Sequence, residues 1–307
     1  MSRYARQRML PEIGQDGQDR LRRAHVLVVG AGGLGCPVLA YLVGAGVGHV
    51  SIIDPDVVEL GNLHRQPLFT MPDIGRAKAE VAAERLGLSN PDIDIRSMPV
   101  ALDPANAVDL VKASDLVVDA ADSFAVSYTL SDICLTHHVP LVSASVLGHC
   151  GYVGGFCDRV PSLRAVFPDL PQSAANCASA GVSGPVVGMI GAMQAQLAVL
   201  ILAGQNRIMG RLTTVDMVNG QFGGFDFHSA TEPDAVIPFV APSQCRPCDR
   251  IVDLRGKAQA AMDHLGPPDD QRIVLCCVSG LRAWNAALKL QQRGYDNLAL
   301  LAAGRKA

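Results

Sequence analysis

The sequence predicts an α/β protein built on a doubly wound, mostly parallel sheet. Short apolar, β-branched runs alternate with helix-forming segments through the first 240 residues. The first of these runs ends at a glycine-rich turn, and the second ends at an acidic residue. Strands that alternate with helices at this spacing are typical of a parallel sheet covered by helices on both faces.

The individual elements follow from local composition. Apolar runs predict strands over 25–29, 50–53, 116–120, 140–146, 251–254 and 273–276. Helix-forming segments predict helices over 34–46, 75–86, 103–112, 124–137 and 283–294. The segment 170–206 contains no charged residue and predicts one more helix. Because Gly and Gln interrupt its apolar part, we expect a core helix rather than a membrane span.

A change in composition divides the chain. The stretch 231–248 contains four prolines and shows no helical period, which predicts a linker. We therefore expect one large domain over 1–240, followed by the linker and a small α/β module over 241–307. The second part is short for an independent domain.

Composition excludes several classes of protein. The chain has 26 Lys and Arg against 29 Asp and Glu, and its net charge of −3 offers no basic surface for nucleic acid or anionic membranes. Nine cysteines in 307 residues are too few for a disulfide scaffold and indicate reduced thiols. The N-terminus lacks the apolar segment of a secretory signal, so we expect a soluble, cytoplasmic protein.

A glycine-rich loop follows the first predicted strand and opens the next helix. Its glycines are Gly30, Gly32, Gly33 and Gly35, and Asp54 ends the next strand. Such a loop lets phosphates approach the backbone and the helix N-terminus, while an acidic side chain at this distance accepts ribose hydroxyls. The pattern predicts an adenine-nucleotide site. A turn that only aids packing of helix against strand is the alternative.

Charged and polar residues gather near the same edge of the predicted sheet. Cations neutralise a triphosphate, and a carboxylate can hold magnesium, so this set favours attack at phosphorus over hydride transfer. The residues concerned are Asp56, Asn62, Arg65, Gln66, Lys78, Asp119 and Asp122. Taken one at a time, each is better explained by a solvated helix face or a helix cap, but their shared location favours a functional site.

Several motifs in order resemble a known group of enzymes. They are Arg3-Tyr-Ala-Arg6-Gln, the glycine loop with Cys36, Gly46-Val-Gly48, Asp54, Asn62-Leu-His-Arg65-Gln66, Gly75-Arg-Ala-Lys78 and Ala121-Asp122. Together they resemble the ubiquitin-activating-enzyme superfamily, in its bacterial branch of sulfur-carrier adenylyltransferases. The molybdopterin-synthase and thiazole-biosynthesis adenylyltransferases are nearest. The resemblance covers residues 3–248 and implies a Rossmann-like fold.

The resemblance implies a reaction. The C-terminal glycine carboxylate of a small ubiquitin-like carrier ending in Gly-Gly attacks the α-phosphate of ATP, and pyrophosphate leaves. By resemblance, the glycine loop binds the nucleotide with Asp54 on the ribose. Asn62, Arg65 and Lys78 would contact phosphates, and Asp122 would hold magnesium.

The resemblance also implies a homodimer. Arg6 is similar to an arginine that reaches from one subunit into the partner's site. Where the family has Asp-Asn after the fourth strand, this chain has Asp122-Ser123, so a contact made by the Asn is lost.

The cysteines carry further expectations. Cys245-Arg-Pro-Cys248 is half of a zinc site of the family, but the first Cys pair is replaced by residues 162–165, Ser-Leu-Arg-Ala. Two thiolates make a poor zinc site, which favours a dithiol or a disulfide over zinc. We expect Cys150 and Cys157, which lie close by, on neighbouring strands.

Two more cysteines are candidates for catalysis. Cys177 matches a loop cysteine that in some members bonds covalently to the carrier, and a residue without catalytic role is the equal alternative. Cys277-Val-Ser-Gly-Leu-Arg282 resembles the active loop of rhodanese-type sulfurtransferases. This predicts a shortened rhodanese-like module whose Cys277 carries a persulfide, loaded by a donor protein, or else a degenerate remnant.

The main hypothesis is therefore adenylation of a carrier followed by sulfur transfer to give a thiocarboxylate. A scaffold that binds nucleotide and carrier without catalysis is one alternative. An NAD-dependent oxidoreductase is another, but it would leave Arg65, Lys78 and Asp122 without a purpose.

Overall fold

The computed structural model describes residues 3–170, 181–255, 262, 265 and 267–302. These residues form an eight-stranded sheet with the strand order β3-β2-β1-β4-β5-β6-β7-β8 and a three-stranded sheet with the order β11-β10-β9. The fold is thus mixed α/β with a large, mostly parallel sheet, which confirms the predicted class.

The first five strands of the large sheet are parallel, and most of their residues are buried. They are β1 (His25–Val29), β2 (His49–Ile53), β3 (Asp94–Met98), β4 (Leu116–Asp119) and β5 (Leu141–Leu147). The chain runs outward from β1 to β3 and then returns to place β4 on the other side of β1. A parallel sheet has its ligand crevice at the carboxyl ends of its strands where this reversal occurs. That crevice lies between β1 and β4.

The large sheet continues in three antiparallel strands that the sequence did not predict. They are β6 (Cys150–Phe156), β7 (Arg211–Asp216) and the exposed edge strand β8 (Gln221–Asp226). Glycines in β6 and β8 hide the usual strand pattern. The expectation that Cys150 and Cys157 lie on neighbouring strands is wrong, because Cys150 begins β6 and Cys157 follows the end of the same strand.

Helices cover both faces of the large sheet. They are α1 (Gly14–Arg23), α2 (Gly35–Ala45), α3 (Lys78–Ser89), α4 (Pro104–Lys112), α5 (Phe124–His137), the single turn α6 (Leu163–Val166), α7 (Gly184–Leu202) and α8 (Leu281–Gln291). Helix α3 begins three residues later than predicted. The chain before it turns at Gly75, which has a φ of +87°, and is extended at Ala77, which pairs with Val57.

Helix α7 is the apolar segment expected to lie in the core. It is the one described helix that is long and apolar enough to cross a membrane, and half of its apolar window is buried. The helix packs closely against α2: a Cβ at Gly191 would lie 2.5 Å from Pro37 and 2.6 Å from the Leu34 carbonyl oxygen. The high hydropathy of α7 is therefore explained by its packing against the start of α2 inside the fold.

The C-terminal residues form a second, smaller sheet of β9 (Arg250–Asp253), β10 (Ile273–Cys277) and β11 (Leu298–Ala302), with α8 packed on it. The chain preceding β9 joins this sheet, since Phe239 pairs with Leu300 and the Val240 N–H donates to the Leu300 carbonyl at 2.8 Å. The division at 240/241 stays a prediction. Residues 238–240, on the first side of that division, hydrogen-bond to β11.

The two sheets share one apolar cluster. Ala125 and Tyr128 of α5 contribute to the same buried core as Phe239, Cys277 and Trp284. The small sheet is therefore fixed against the first turns of α5, close to the carboxyl edge of the large sheet.

Candidate nucleotide site

The glycine loop connects β1 to α2 and is closely packed on all sides. Gly30 has a φ of +98°, and a Cβ there would lie 2.6 Å from the Ala120 carbonyl oxygen. A Cβ at Gly35 would collide with the carbonyl of Gly30, and one at Gly33 would lie 2.6 Å from Val187. These positions need glycine because the backbone passes so near to its neighbours. The loop brings the N-terminus of α2, with its free N–H groups, to the crevice.

Asp54 fixes the loop from the end of β2. The Ala31 N–H donates to one of its carboxylate oxygens at 2.6 Å, and the Asp56 N–H donates to the other at 2.8 Å. Burial raises the pKa of Asp54, while these two N–H donors and Lys78 oppose the increase. A carboxylate has about four lone-pair sites, so two remain for hydroxyl donors of a ligand.

Lys78, the first residue of α3, supplies a buried positive charge. Its ammonium lies 2.8 Å from an Asp56 carboxylate oxygen, and the Lys78 side chain is only 6% exposed whereas that of Asp56 is 65% exposed. A buried ammonium needs a partner. Here the partner faces solvent, which places the charge at the border of the crevice.

Residues 60–66 form a short 3-10 helix and a turn against the glycine loop. The aliphatic part of Arg65 lies 3.6 Å from the position of a Cβ at Gly33, and its guanidinium donates to the Gly61 carbonyl at 3.1 Å. Gln66 is buried beside Gly32, and its side-chain oxygen has no hydrogen-bond partner among the described residues. The Asn62 carbonyl accepts the Gln66 N–H. The turn thus brings the predicted Asn, Arg and Gln to the loop.

The end of β4 completes the crevice. Asp119 pairs in register with Val29, so the residues that follow it lie beside the glycine loop. Asp122 is exposed there, and no hydrogen bond or ion pair from the described residues reaches its carboxylate. Burial raises the pKa of Asp119 to about 6, and hydrogen bonds from Ser127 and Ser143 oppose that increase. Asp119 is thus an internal residue, whereas Asp122 is exposed at the same edge of the sheet.

Arg6 does not lie with the other candidates. It lines a groove of about 970 Å³ together with Leu10, Tyr41 and Ala45. Ala45 ends α2, whereas the glycine loop precedes the other end of that helix. The N-terminal segment is held there because the Gln7 side-chain amide donates to the Ala45 carbonyl at 2.9 Å. Arg6 therefore faces away from the crevice of its own chain.

Cys277 ends β10 and is held by the loop that the sequence predicted. Its Sγ accepts the N–H groups of Gly280 at 3.1 Å and Ala283 at 3.4 Å, at the start of α8. Such donors stabilise a thiolate or persulfide. Arg282 instead donates to the Leu254 carbonyl at 3.1 Å. The thiol is 1% exposed, since Phe239 and Ala125 pack against Gly280 of the loop.

The other predicted cysteines do not form a metal centre among the described residues. Cys245 and Cys248 are free thiols, and the described ranges contain no group of three or more His, Cys, Asp or Glu suited to a metal. Structural zinc needs four ligands, so these residues do not fit it. Cys177 lies outside the described residues.

A buried arginine occupies the segment where the family's first cysteine pair is missing. Arg164 is 2% exposed, makes two hydrogen bonds to the Asp132 carboxylate at 2.5 and 2.9 Å, and lies 4.4 Å from the Tyr128 ring centroid. The ring centroid of Trp284, in α8, lies 5.5 Å from the Cζ atom of the same guanidinium. Sequence reasoning missed this cluster. The only signal was one arginine in an otherwise apolar stretch.

Comparison with known proteins gives a consistent result. The model of the ThiF family matches residues 4–235. A sulfur carrier protein adenylyltransferase from Thermus thermophilus is 41% identical over 231 residues, which cover 72% of this chain and 85% of that protein. The SAMP-activating enzyme E1 of Haloferax volcanii is 36% identical over 240 residues, 77% of this chain and 88% of that protein.

Longer relatives match over part of their length. The adenylyltransferase and sulfurtransferase MOCS3 of Culex quinquefasciatus is 43% identical over 220 residues, 70% of this chain but 50% of that protein. Among solved structures, Escherichia coli MccB has a TM-score of 0.66 at 21% identity, covering 76% of this chain and 73% of its own. A complex of MccB with ATP has a TM-score of 0.64 at 21% identity and covers 74% and 72%. These structures share the fold.

Proposed function

The chain belongs to the ThiF family, as its motifs indicated, and we propose that it adenylates the C-terminal glycine of a small ubiquitin-like carrier ending in Gly-Gly. The observation that supports the proposal is that Asp54 hydrogen-bonds the glycine loop from the end of β2 while the backbone just before Asp122 packs against the loop from the end of β4. A nucleotide-binding loop with cations and an exposed carboxylate suits attack at a phosphate of ATP.

The nucleotide would lie across the carboxyl ends of β1 and β4. The loop N–H groups and the α2 N-terminus would receive its phosphates. Asp54, with two acceptor positions left after its backbone hydrogen bonds, would accept the ribose hydroxyls. Asp56 and Asn62 belong to the same edge, and Gln66 is buried beneath it beside Gly32, where it would support the loop.

The cations and Asp122 account for the chemistry. The carrier's carboxylate oxygen forms a bond to the α-phosphorus as the bond to the pyrophosphate oxygen breaks, so negative charge builds on the phosphates. Lys78 and Arg65 would stabilise that charge. Asp122 would hold Mg²⁺, which commonly binds through one carboxylate plus substrate phosphates, so a single exposed carboxylate fits it. Mg²⁺ there would neutralise the phosphates.

Arg6 supports a homodimer. Because it lines a groove at the far end of α2, it would serve the site of a second copy rather than its own. The apolar side chains of Leu10 and Tyr41, which are 51% and 60% exposed, border that groove and would be covered by the partner.

The Cys277 loop supports sulfur transfer. A persulfide on Cys277, loaded by a donor protein, would attack the acyl carbon through its outer sulfur while AMP leaves. This gives an acyl disulfide. A second thiol then attacks the Cys277 sulfur, which releases the thiocarboxylate and leaves a disulfide between that thiol and Cys277. Cys177 remains a candidate for that thiol or for a covalent bond to the carrier. The reaction would take place in the cytoplasm.

ATP–pyrophosphate exchange tests the adenylation step. Wild type and Asp122→Ala would be assayed with Mg²⁺ and a panel of carriers that end in Gly-Gly. We expect exchange that needs a carrier and falls by about 10²-fold or more in the variant. Asp103→Ala is the control, because Asp103 caps α4 through Ala105 and Asn106 and has no part in the crevice.

A second measurement separates a wrong function from a missing carrier. The intact mass of carriers co-expressed with the enzyme would show a thiocarboxylate if the complete sequence of reactions occurs. Nucleotide binding without exchange for any carrier, together with unmodified carriers in the cell, would contradict the proposal and favour a binding scaffold. Binding of NAD without dependence on Mg²⁺ would favour an oxidoreductase.

A further inference from the structure

Asp119 lies at the end of β4, three residues before Asp122, and is fully buried. One of its carboxylate oxygens accepts the Ala121 N–H at 3.2 Å, and the other accepts the Ser143 hydroxyl at 2.8 Å. A buried carboxylate is costly unless it is hydrogen-bonded. Since Asp119 does not reach the crevice, its contribution to function must act through the groups it holds.

The hydrogen bond to Ala121 fixes the turn that leads to Asp122. The other side of this turn is fixed by β1, because the Ala120 N–H donates to the Val29 carbonyl at 2.9 Å. The glycine loop also limits it, since a Cβ at Gly30 would lie 2.6 Å from the Ala120 carbonyl oxygen. The backbone before Asp122 is thus held from the Asp119 side chain, from β1 and from the glycine loop.

Gln194 holds the same strand end from α7. Its side chain is fully buried, and its amide nitrogen donates to the Asp119 carbonyl at 2.8 Å and to the Val142 carbonyl at 3.5 Å. Asp119 therefore receives contacts from β5 through Ser143 and from α7 through Gln194. Both contacts reduce the freedom of the carboxyl end of β4 relative to its neighbours.

We infer that Asp119 is a positioning residue for the metal-binding carboxylate of Asp122. It fixes the 119–122 turn so that the Asp122 carboxylate meets the phosphates at the glycine loop, where Mg²⁺ would bridge them. The inference rests on the proposed function, in which Asp122 holds the metal. Groups that orient a metal ligand commonly change metal affinity when they are removed, by about 10- to 100-fold.

The test uses the full chain and α,β-methylene ATP, with no carrier present. Its affinity would be measured with and without Mg²⁺, and the ratio of the two gives the gain from the metal. We expect Asp122→Ala to abolish the gain and Asp119→Ala to reduce it about 10-fold. Asp119→Asn should retain it within about threefold, because its amide oxygen still accepts the Ala121 N–H and its amide nitrogen can donate to the Ser127 and Ser143 hydroxyls, which rotate to accept.

The affinity without metal distinguishes positioning from general damage. A purely structural role would weaken binding in both conditions and leave the gain intact, which would overturn the inference. Asp103→Ala, which removes a helix-capping carboxylate outside the crevice, should leave both values unchanged. If Asp119→Ala does not fold, Ser143→Ala removes one partner of the carboxylate and should still lower the gain about threefold. An unchanged gain in Ser143→Ala would then overturn the inference.

Failure of the proposed function would look different. If wild type bound no nucleotide, or if Asp122→Ala kept the full gain from Mg²⁺, the assignment of Asp122 would be wrong. If Asp122→Ala lost the gain while Asp119→Ala kept it, only the role of Asp119 would be wrong.

Discussion

The Lys78 ammonium lies 2.8 Å from the carboxylate of Asp56, and the lysine is the buried member of the pair. This arrangement keeps a positive charge at the edge of the crevice in the absence of nucleotide. We expect Lys78→Met to lower pyrophosphate exchange by about 10²-fold, because a fixed cation no longer faces the phosphates.

The partner of Lys78 tests the burial of this charge. Asp56→Asn should lower the free energy of unfolding by more than about 1 kcal/mol, because it leaves the 6% exposed Lys78 side chain without its charged partner. Denaturant titration of both variants checks this. Equal exchange in Lys78→Met and wild type would remove the lysine from the reaction.

We expect the stability of the protein to depend on pH through Asp119. Its pKa is about 6 in the folded protein against 3.8 in the unfolded chain, so the folded state binds the proton more tightly. Stability from this group is therefore present below pH 4 and lost as the pH rises to 6 and above. The difference corresponds to about 3 kcal/mol at most.

The comparison with Asp119→Asn isolates the contribution of Asp119 titration to the free energy of unfolding. Denaturant unfolding without metal, from pH 4 to pH 7.5, should show the variant gaining stability relative to wild type as the pH rises. Parallel curves for the two proteins across this range would contradict the raised pKa.

We expect substitution of Arg164 to lower the stability of the protein, because its contacts come from helices that pack on both sheets. Arg164→Met leaves the Asp132 carboxylate, one-third exposed, without its partner and removes the cation from Tyr128 and Trp284. We expect a loss of about 3 kcal/mol in the free energy of unfolding. Arg164→Lys should recover little, because an ammonium cannot make the two parallel hydrogen bonds.

The exposed pair between Arg22 and Asp19 is the control for Arg164. Its side chains are 74% and 36% exposed, so Arg22→Gln should cost less than about 1 kcal/mol. Similar losses in Arg22→Gln and Arg164→Met would mean that burial of Arg164 has no energetic importance.

We expect the Cys277 thiol to be protected from alkylation. Its side chain is 1% exposed, whereas Cys150 and Cys248 are exposed. Iodoacetamide should modify the two exposed thiols well before Cys277, as followed by mass spectrometry of peptides. Phe239→Ala, which removes the ring packed against Gly280, should accelerate modification of Cys277 alone. Rapid labelling of Cys277 in wild type would show that the loop is open.

Two glycines of α7 form a matched pair. A Cβ at Gly191 would lie 2.5 Å from Pro37, whereas one at Gly188 would meet nothing within 4 Å. We expect Gly191→Ala to cost about 1–3 kcal/mol through overpacking and Gly188→Ala to stabilise by up to about 1 kcal/mol. Thermal unfolding of both variants checks this, and a destabilised Gly188→Ala would contradict it.

The sequence predicted the parts of the site that depend on local pattern. The glycine loop joins β1 to α2, Asp54 follows β2 and Lys78 begins α3, so their place at the carboxyl edge follows from topology. The N–H groups that donate to the Cys277 sulfur likewise follow from a local pattern, in which a strand, a loop and a helix come in order. Arg164 and Asp119 could not be assigned, because their roles depend on partners more than twenty residues away.

Five strands were missed, namely β3, β6, β7, β8 and β11, and two of them have a physical explanation in their glycines. Strands β6 and β8 contain glycines that local preference assigns to turns, and they form because β5 and β7 offer them complete hydrogen-bonding partners. The burial of Cys277 was also beyond reach from the sequence. It arises from Phe239 and Ala125, which meet only after the small sheet packs on α5.

The pairing of Phe239 with Leu300 bears on how this chain can be re-engineered. A chimera that exchanged everything after Val240 would cut through hydrogen bonds between residues 238–240 and β11. The exchanged segment would also have to pack on α5, where the Tyr128 ring contacts the ring of Trp284. Recombination should therefore disrupt less upstream of Ile237, where the donor brings its own covering strand, than at the position that composition alone would choose, and at either position the donor needs an aromatic ring that meets Tyr128.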